Sequence, residues 1–217
     1  MLECYALAMI IILICLAFLV LLMATEWVQR WSGMKHEYSR KTTHVISGIC
    51  VLIAPNFIDK NQILTLAALF AVLSVVSKYL AFFPSIQNVG RKTLGEIYFP
   101  IGVGIAAYLF LPKDLTAFQF GILVLTVSDT LAAVVGKAYG KHKLFNGKSI
   151  EGTAAFFLST LIIFTFFIAI NSIAIIPLWV GLLIALIMCL AELAFGAGLD
   201  NLILPALSAY LIKIFVA

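Results

Sequence analysis

The chain has 217 residues, 64% of them hydrophobic and 11% charged, with a mean hydropathy of +1.14 and a net charge of +4. A soluble domain carries about 45–50% apolar and about 25% charged residues, so one soluble core cannot hold this excess and lipid must be the outer solvent. That excludes a disordered chain, a collagen-like repeat, a disulfide-stapled secreted fold and a separate soluble catalytic domain; Cys4, Cys15, Cys50 and Cys189 form no C-x-x-C pair and read as small buried hydrophobes.

The fold class is all-α, a polytopic transmembrane helical bundle of about eight spans. The first, Leu7–Ala24, follows Glu3 and no basic residue, so it reads as a retained anchor and not a cleaved leader. His44–Ile58, Ile63–Phe83, Ile97–Leu111, Phe118–Lys137, Thr153–Ile170, Ile173–Leu190 and Leu199–Phe215 follow. The second and fourth fall short of the roughly 20 residues that a bilayer core takes. They lengthen through their flanks or tuck into the bundle, and seven spans is the alternative. The apolar runs are continuous, whereas barrel strands alternate over about ten residues, which argues against a β-barrel.

Charge sets the sides. Of the 14 lysines and arginines, Arg30, Lys35, Arg40, Lys41, Lys78, Arg91, Lys92, Lys137, Lys141, Lys143 and Lys148 share one predicted side, against Lys60, Lys113 and Lys213 on the other. The positive-inside rule puts the larger group in the cytoplasm and both chain ends outside. These residues lie within a few positions of span ends, so they read as topological and not as a nucleic-acid patch.

Several polar residues go beyond topology. Asp129 sits inside a span, in GILVLTVSDTLAAVVGKAYG. A carboxylate there is costly and faces a cavity, a partner or a pathway. Ala132, Ala133, Gly136 and Gly140 lie on or near its helical face, where small side chains admit a close neighbour or a ligand. A structural aspartate on a packing face is the competing reading. In the following loop, GKHKLFNGKSIEG, the residues Lys141, Lys143 and Lys148 alternate with glycines and precede Glu151. Glycine-rich backbone with lysines suits phosphate. It is not a P-loop, because His142 stands where the first glycine of that pattern belongs. Arg40, Lys41 and His44, in R-K-T-T-H, share one helical face at the mouth of the second span.

Near the C-terminus, Glu192 ends the seventh span, Asp200 and Asn201 open the eighth, and Pro205 follows; Glu96 precedes the fourth. All of these anomalies fall on the predicted cytoplasmic side. Carboxylate and amide oxygens beside several lysines suit a magnesium-bound nucleotide, since magnesium takes oxygen ligands from one or two carboxylates and substrate phosphates. No histidine–cysteine cluster suggests a transition metal.

S-D-T-L-A-A-V-V-G-K-A-Y-G-K-H-K-L at 128–144 and N-G-K-S-I-E-G-T at 146–153 resemble the signature of the polyprenol kinase family. That family holds dolichol kinases, phytol and farnesol kinases and CTP-dependent diacylglycerol kinases, and is related to the CTP-transferase superfamily. R-K-T-T-H at 40–44 resembles its early R-K-x-x-H element, and D-N-L-I-L-P at 200–205 its final D-N-x-x-x-P element. The resemblance implies a single integral-membrane domain over 1–217, with the first anchor span and loop in 1–39 and the kinase-like core in 40–217. It implies transfer of the γ-phosphoryl group of CTP, with magnesium, to the hydroxyl of an isoprenoid alcohol or diacylglycerol.

By the same resemblance Asp129, then Asp200, are the expected metal contacts. Lys148, Arg40 and Lys41 would neutralise the triphosphate. Gly136, Gly140, Lys141, Lys143 and Asn201 would line the nucleotide site, and His44 or Glu151 would assist deprotonation of the alcohol. The expected partners are CTP, the lipid alcohol and the bilayer, not nucleic acid, and homodimer formation stays open. The compact length resembles prokaryotic members, which implies a plasma-membrane protein with its site facing the cytoplasm. The competing enzyme is a cytidylyltransferase acting on a lipid phosphate and releasing pyrophosphate. A transporter would often show an inverted repeat and a midplane site, and neither is evident.

Overall fold

The structure, a computed structural model, describes residues 2–33, 36–80, 93–171 and 176–216. Among these residues it is helical throughout, without a strand, and the helices are α1 (Leu2–Ser32), α2 (His36–Ile53), α3 (Lys60–Leu80), α4 (Gly95–Phe110), α5 (Leu115–Tyr139), α6 (Ile150–Ile170), α7 (Leu178–Ala194) and α8 (Asp200–Val216). Each corresponds to one predicted span. Helix α1 runs eight residues beyond the predicted end at Ala24, and α2 begins eight residues before His44 because Glu37, Arg40 and Lys41 are helical as well. The end of the third predicted span and the start of the seventh lie outside the described residues.

The segments Ile12–Ser32, Lys60–Leu80, Leu115–Tyr139 and Ile150–Ile170 are long and apolar enough to cross a bilayer, and α4 and α7 are shorter apolar helices. Side chains such as Leu16, Val20, Val72, Leu158, Phe166 and Leu186 point outward. In water that surface would be untenable, but in lipid it is the expected outer face.

Helix starts follow from short polar signals. Asp59 and Gln62 bond each other's backbone N–H at 2.9 Å ahead of α3, a reciprocal capping box. Asp114 accepts from Ala117 N at 2.9 Å to start α5, and Ser149 accepts from Gly152 N at 3.1 Å to start α6.

The core runs through Phe118, Phe120, Ile122, Phe156, Ile184 and Met188, all fully buried. Helix α8 packs on α4, α5 and α7, α6 on α5 and α7, α3 on α4, and α2 on α1 and α5. Two glycines let α8 sit deep: a Cβ on Gly102 would strike the Asn201 carbonyl, and one on Gly121 the Pro205 carbonyl. Phe18 of α1 meets Phe70 of α3 with ring centroids 4.5 Å apart.

The helices alternate in direction, so the starts of α2, α4, α6 and α8 meet the ends of α3, α5 and α7. Lys78 bonds Glu96 at 2.5 Å, and Asn201 Nδ2 donates to Gly95 O at 3.1 Å across this end. At the opposite end Lys60 donates to Tyr108 O at 2.8 Å and Lys213 lies 3.8 Å from Asp114. Lys35, Arg91 and Lys92 lie outside the described residues.

Candidate active site

Asp129 lies ten residues before the end of α5, so it is sunk about 15 Å below that end at 1.5 Å per residue. Immediately before it, Val124–Ser128 form a π-helical turn. Such turns interrupt the regular backbone ladder and recur at functional sites. His44 Nε2 reaches the Leu125 carbonyl at 3.2 Å and stands 3.6 Å from Asp129 Oδ2. Gly48 makes room for this approach, because a Cβ there would collide with the Thr126 side chain. Lys41 Nζ forms an ion pair with Asp129 Oδ2 and also donates to the Asp129 carbonyl at 3.3 Å. The two charged groups are almost fully excluded from solvent, with side chains 4% and 7% exposed.

A second charged centre lies beside the first. Lys148 Nζ pairs with Glu192 Oε1 at 2.7 Å, donates to the Glu192 carbonyl, and reaches Asp200 Oδ2 at 3.4 Å. The loop that carries Lys148 is a short hairpin and not the flexible cradle that its glycines suggest. Asn146 and Gly147 take φ of 57° and 72° at its tip, the left-handed pair that a tight Asn-Gly turn uses. Leu144 N donates to Lys148 O at 2.8 Å, Lys148 N to Phe145 O at 3.1 Å, and Ile150 N to His142 O at 3.0 Å. Those three backbone donors are spent inside the loop. Asn146 Nδ2 fastens the tip to the Leu193 and Ala194 carbonyls at 3.1 and 3.2 Å. At the base of the hairpin α5 and α6 nearly touch, since a Cβ on Gly152 would lie 2.7 Å from Ala132 O.

The two centres border connected cavities. One, of about 280 Å³, is walled by Asp129, Asp200, Glu192, Lys137, Lys143 and Lys148, with Gly136, Gly147 and Gly152 among the residues that leave it open. A small recess of about 20 Å³ shares Asp129, Lys148 and Asp200 with it, and adds Arg40, Lys41 and Asn201. A third cavity, of about 310 Å³, is mostly apolar and lies among α1, α2, α3 and α4; it shares Arg40 and Asn201 with the recess.

The structure therefore brings together Arg40, Lys41, His44, Asp129, Lys148, Asp200 and Asn201, with Gly136 and Lys143 on the larger polar wall. Gly140 instead closes the hairpin base, where a Cβ would lie 2.6 Å from Ser149 Oγ. Lys141 is exposed on the hairpin. Glu151 turns outward to His142 Nδ1 at 2.9 Å, and neither residue lines these cavities. Sequence reasoning missed Glu37, which bonds Arg40 Nη2 at 2.5 Å and lines the larger polar cavity. Its i, i+3 spacing from Arg40 was the available signal.

The donor set suits magnesium. Asp129 and Asp200 border one cavity with lysines but without cysteine, and Glu192 Oε2 is a buried oxygen without a hydrogen-bond partner. Among the described residues no three His, Cys, Asp or Glu side chains form a ready metal cage. A cation held here would draw its remaining ligands from phosphate oxygens, the usual habit of magnesium.

Comparison with known proteins agrees with the motifs. The profile of the cytidylyltransferase family matches residues 1–196. A phytol kinase of Synechocystis sp. is 31% identical over 193 residues, covering 86% of this chain and 83% of that protein. An uncharacterised protein of Methanocaldococcus jannaschii is 31% identical over 190 residues, covering 82% and 93%. The dolichol kinase of Schizosaccharomyces pombe is 31% identical over 121 residues, covering 54% of this chain and 24% of its own length. No solved structure matches.

Proposed function

The chain belongs to the cytidylyltransferase family, in its polyprenol kinase group, and from that premise we propose that it is a membrane lipid kinase using CTP. The acceptor on this reading is the hydroxyl of an isoprenoid alcohol, and the site faces the cytoplasm of a prokaryotic plasma membrane. One observation carries the reading: two aspartates and three lysines from α5, α8 and the hairpin border one cavity, which shares Asp129, Lys148 and Asp200 with the recess that Arg40 and Lys41 line.

Lys143 and Lys148 would bind the triphosphate, and Arg40 and Lys41 would offset its charge from the opposite wall. Such fixed cations stabilise the charge on a transferred phosphoryl group without reorganising. Lys41 lies against the Asp129 side chain in a setting almost free of solvent. Magnesium bound with the nucleotide would supply further charge neutralisation, with Asp129 and Asp200 as the carboxylates that hold it.

In the transfer the alcohol oxygen bonds to the γ-phosphorus while the bond from that phosphorus to the β–γ bridging oxygen breaks. CDP leaves with the electron pair. The hydroxyl proton passes to His44 and then to solvent; the bond from His44 Nε2 to Leu125 O assigns the ring proton to Nε2 and leaves Nδ1 as acceptor. Positioning supplies much of the remaining acceleration.

The test is incubation of the purified protein with magnesium, γ-labelled CTP, and a panel of isoprenoid alcohols and diacylglycerol. Label in lipid phosphate is the expected result. A CDP-lipid with released pyrophosphate would instead establish cytidylyl transfer, the chemistry in the family's name.

A further inference from the structure

We infer that the apolar cavity among α1, α2, α3 and α4 is the acceptor site, holding the hydrocarbon part of a lipid alcohol with its hydroxyl between Asn201 and Arg40. This rests on the kinase reading for its occupant, and on the following geometry for its place.

The cavity is polarised along its length. Phe18, Leu19, Leu22, Phe70 and Leu73 make a hydrocarbon wall, while Arg40, His44 and Asn201 stand where it meets the phosphate recess. Arg40 and Asn201 line both spaces, and the recess shares Asp129, Lys148 and Asp200 with the larger polar cavity. A molecule with its tail in the apolar part therefore puts its head beside the phosphoryl-transfer residues.

The head end carries an unmet hydrogen-bond requirement of the right kind. Asn201 is 2% exposed, its Nδ2 is committed to Gly95 O at 3.1 Å, and its Oδ1 has no partner. Arg40 is 8% exposed, its Nη2 is committed to Glu37 at 2.5 Å, and its Nε has no partner. Buried polar atoms are rarely left unpaired, because each lone one is costly. The two groups offer one acceptor and one donor. A hydroxyl both donates and accepts, so before transfer it satisfies them together, and it turns its hydrogen to His44 only as transfer begins. A lipid phosphate, which is an acceptor only when ionised, would face the Asn201 oxygen without a hydrogen to give it.

Helix α1 closes one side of the cavity through the Phe18–Phe70 contact.

The experiment uses geranylgeraniol carrying a diazirine midway along its hydrocarbon chain, photolysed with the full-length protein in lipid nanodiscs and read by peptide mass spectrometry. Cross-links to the 15–22, 70–77 or 95–99 segments are expected. Excess geranylgeraniol should suppress them at least fivefold, and the matching hydrocarbon without the hydroxyl should suppress them less than twofold. Leu73→Trp, which fills the channel far from the nucleotide, should raise the KM for geranylgeraniol about tenfold and leave that for CTP within about twofold. Cross-links confined to α6 or α7, or equal suppression by the hydrocarbon without the hydroxyl, would overturn the assignment. Phosphorylated lipid together with cross-links elsewhere removes this site while the kinase reading stands. Suppressible cross-links in the channel without phosphate transfer keep the site and remove the kinase reading.

Discussion

Lys41, five residues into α2, and Asp129, in the middle of α5, form an ion pair 88 positions apart in sequence and almost wholly out of water. Removing one partner of such a pair leaves a buried uncompensated charge and costs about 3–5 kcal/mol. Lys41→Met alone should therefore lower the unfolding midpoint in detergent sharply. The double variant Lys41→Met with Asp129→Asn should recover most of that stability but show no lipid phosphorylation. Recovery of activity along with stability would make the pair structural and remove Asp129 from the chemistry.

Lys148 connects the hairpin to α7 and α8 through Glu192 and Asp200. A charge-assisted contact to phosphate is worth about 1.5–3 kcal/mol, so Lys148→Ala should lower kcat/KM for CTP by roughly tenfold to a hundredfold. The KM for the alcohol should stay nearly constant. A change confined to the alcohol would assign Lys148 to the acceptor side.

Much of the fold was legible because each helix announced itself by a continuous apolar run, and Asp129 stood out as a charge inside one. Direction of the spans then brought the R-K-T-T-H, S-D-T and D-N elements to one end. Three features were not legible. The π-helical turn before Asp129 has no sequence signature of its own; it lies where α2 packs closely, Gly48 against Thr126. The glycines at 136, 140 and 152 read alike in sequence, yet only the crossing of α5 and α6 decides which borders the cavity and which seals the hairpin. Glu151 sat beside Lys148 in the motif, but one helical turn of difference sends its carboxylate out to His142.

That outward turn separates the two candidate bases. General-base assistance contributes about 10²–10⁴ in rate. His44→Gln, which keeps a donor toward Leu125 O but removes the titrating ring, should lower kcat about a hundredfold with little effect on the KM for CTP. Glu151→Gln should lower it less than about threefold, within the range of a lost exposed contact. The reverse ranking would move the base to the hairpin.

Arg40 provides the most discriminating substitution, because its guanidinium faces both substrates' cavities at once while Glu37 fixes one edge of it. Arg40→Lys preserves the positive charge but loses the planar fork and the Nε–H. If charge alone mattered, kinetics would be unchanged. With the geometry described, lysine can meet Glu37 or the phosphate recess but cannot also donate toward Asn201, so kcat/KM should fall about tenfold or more for the alcohol and for CTP alike. Arg40→Gln would lose the charge as well and should fall further for CTP than for the alcohol. Both variants should insert normally, as cysteine labelling at Lys143 and at Lys113 on opposite membrane sides can check. Equal activity of Arg40→Lys and the parent would reduce Arg40 to a topological anchor.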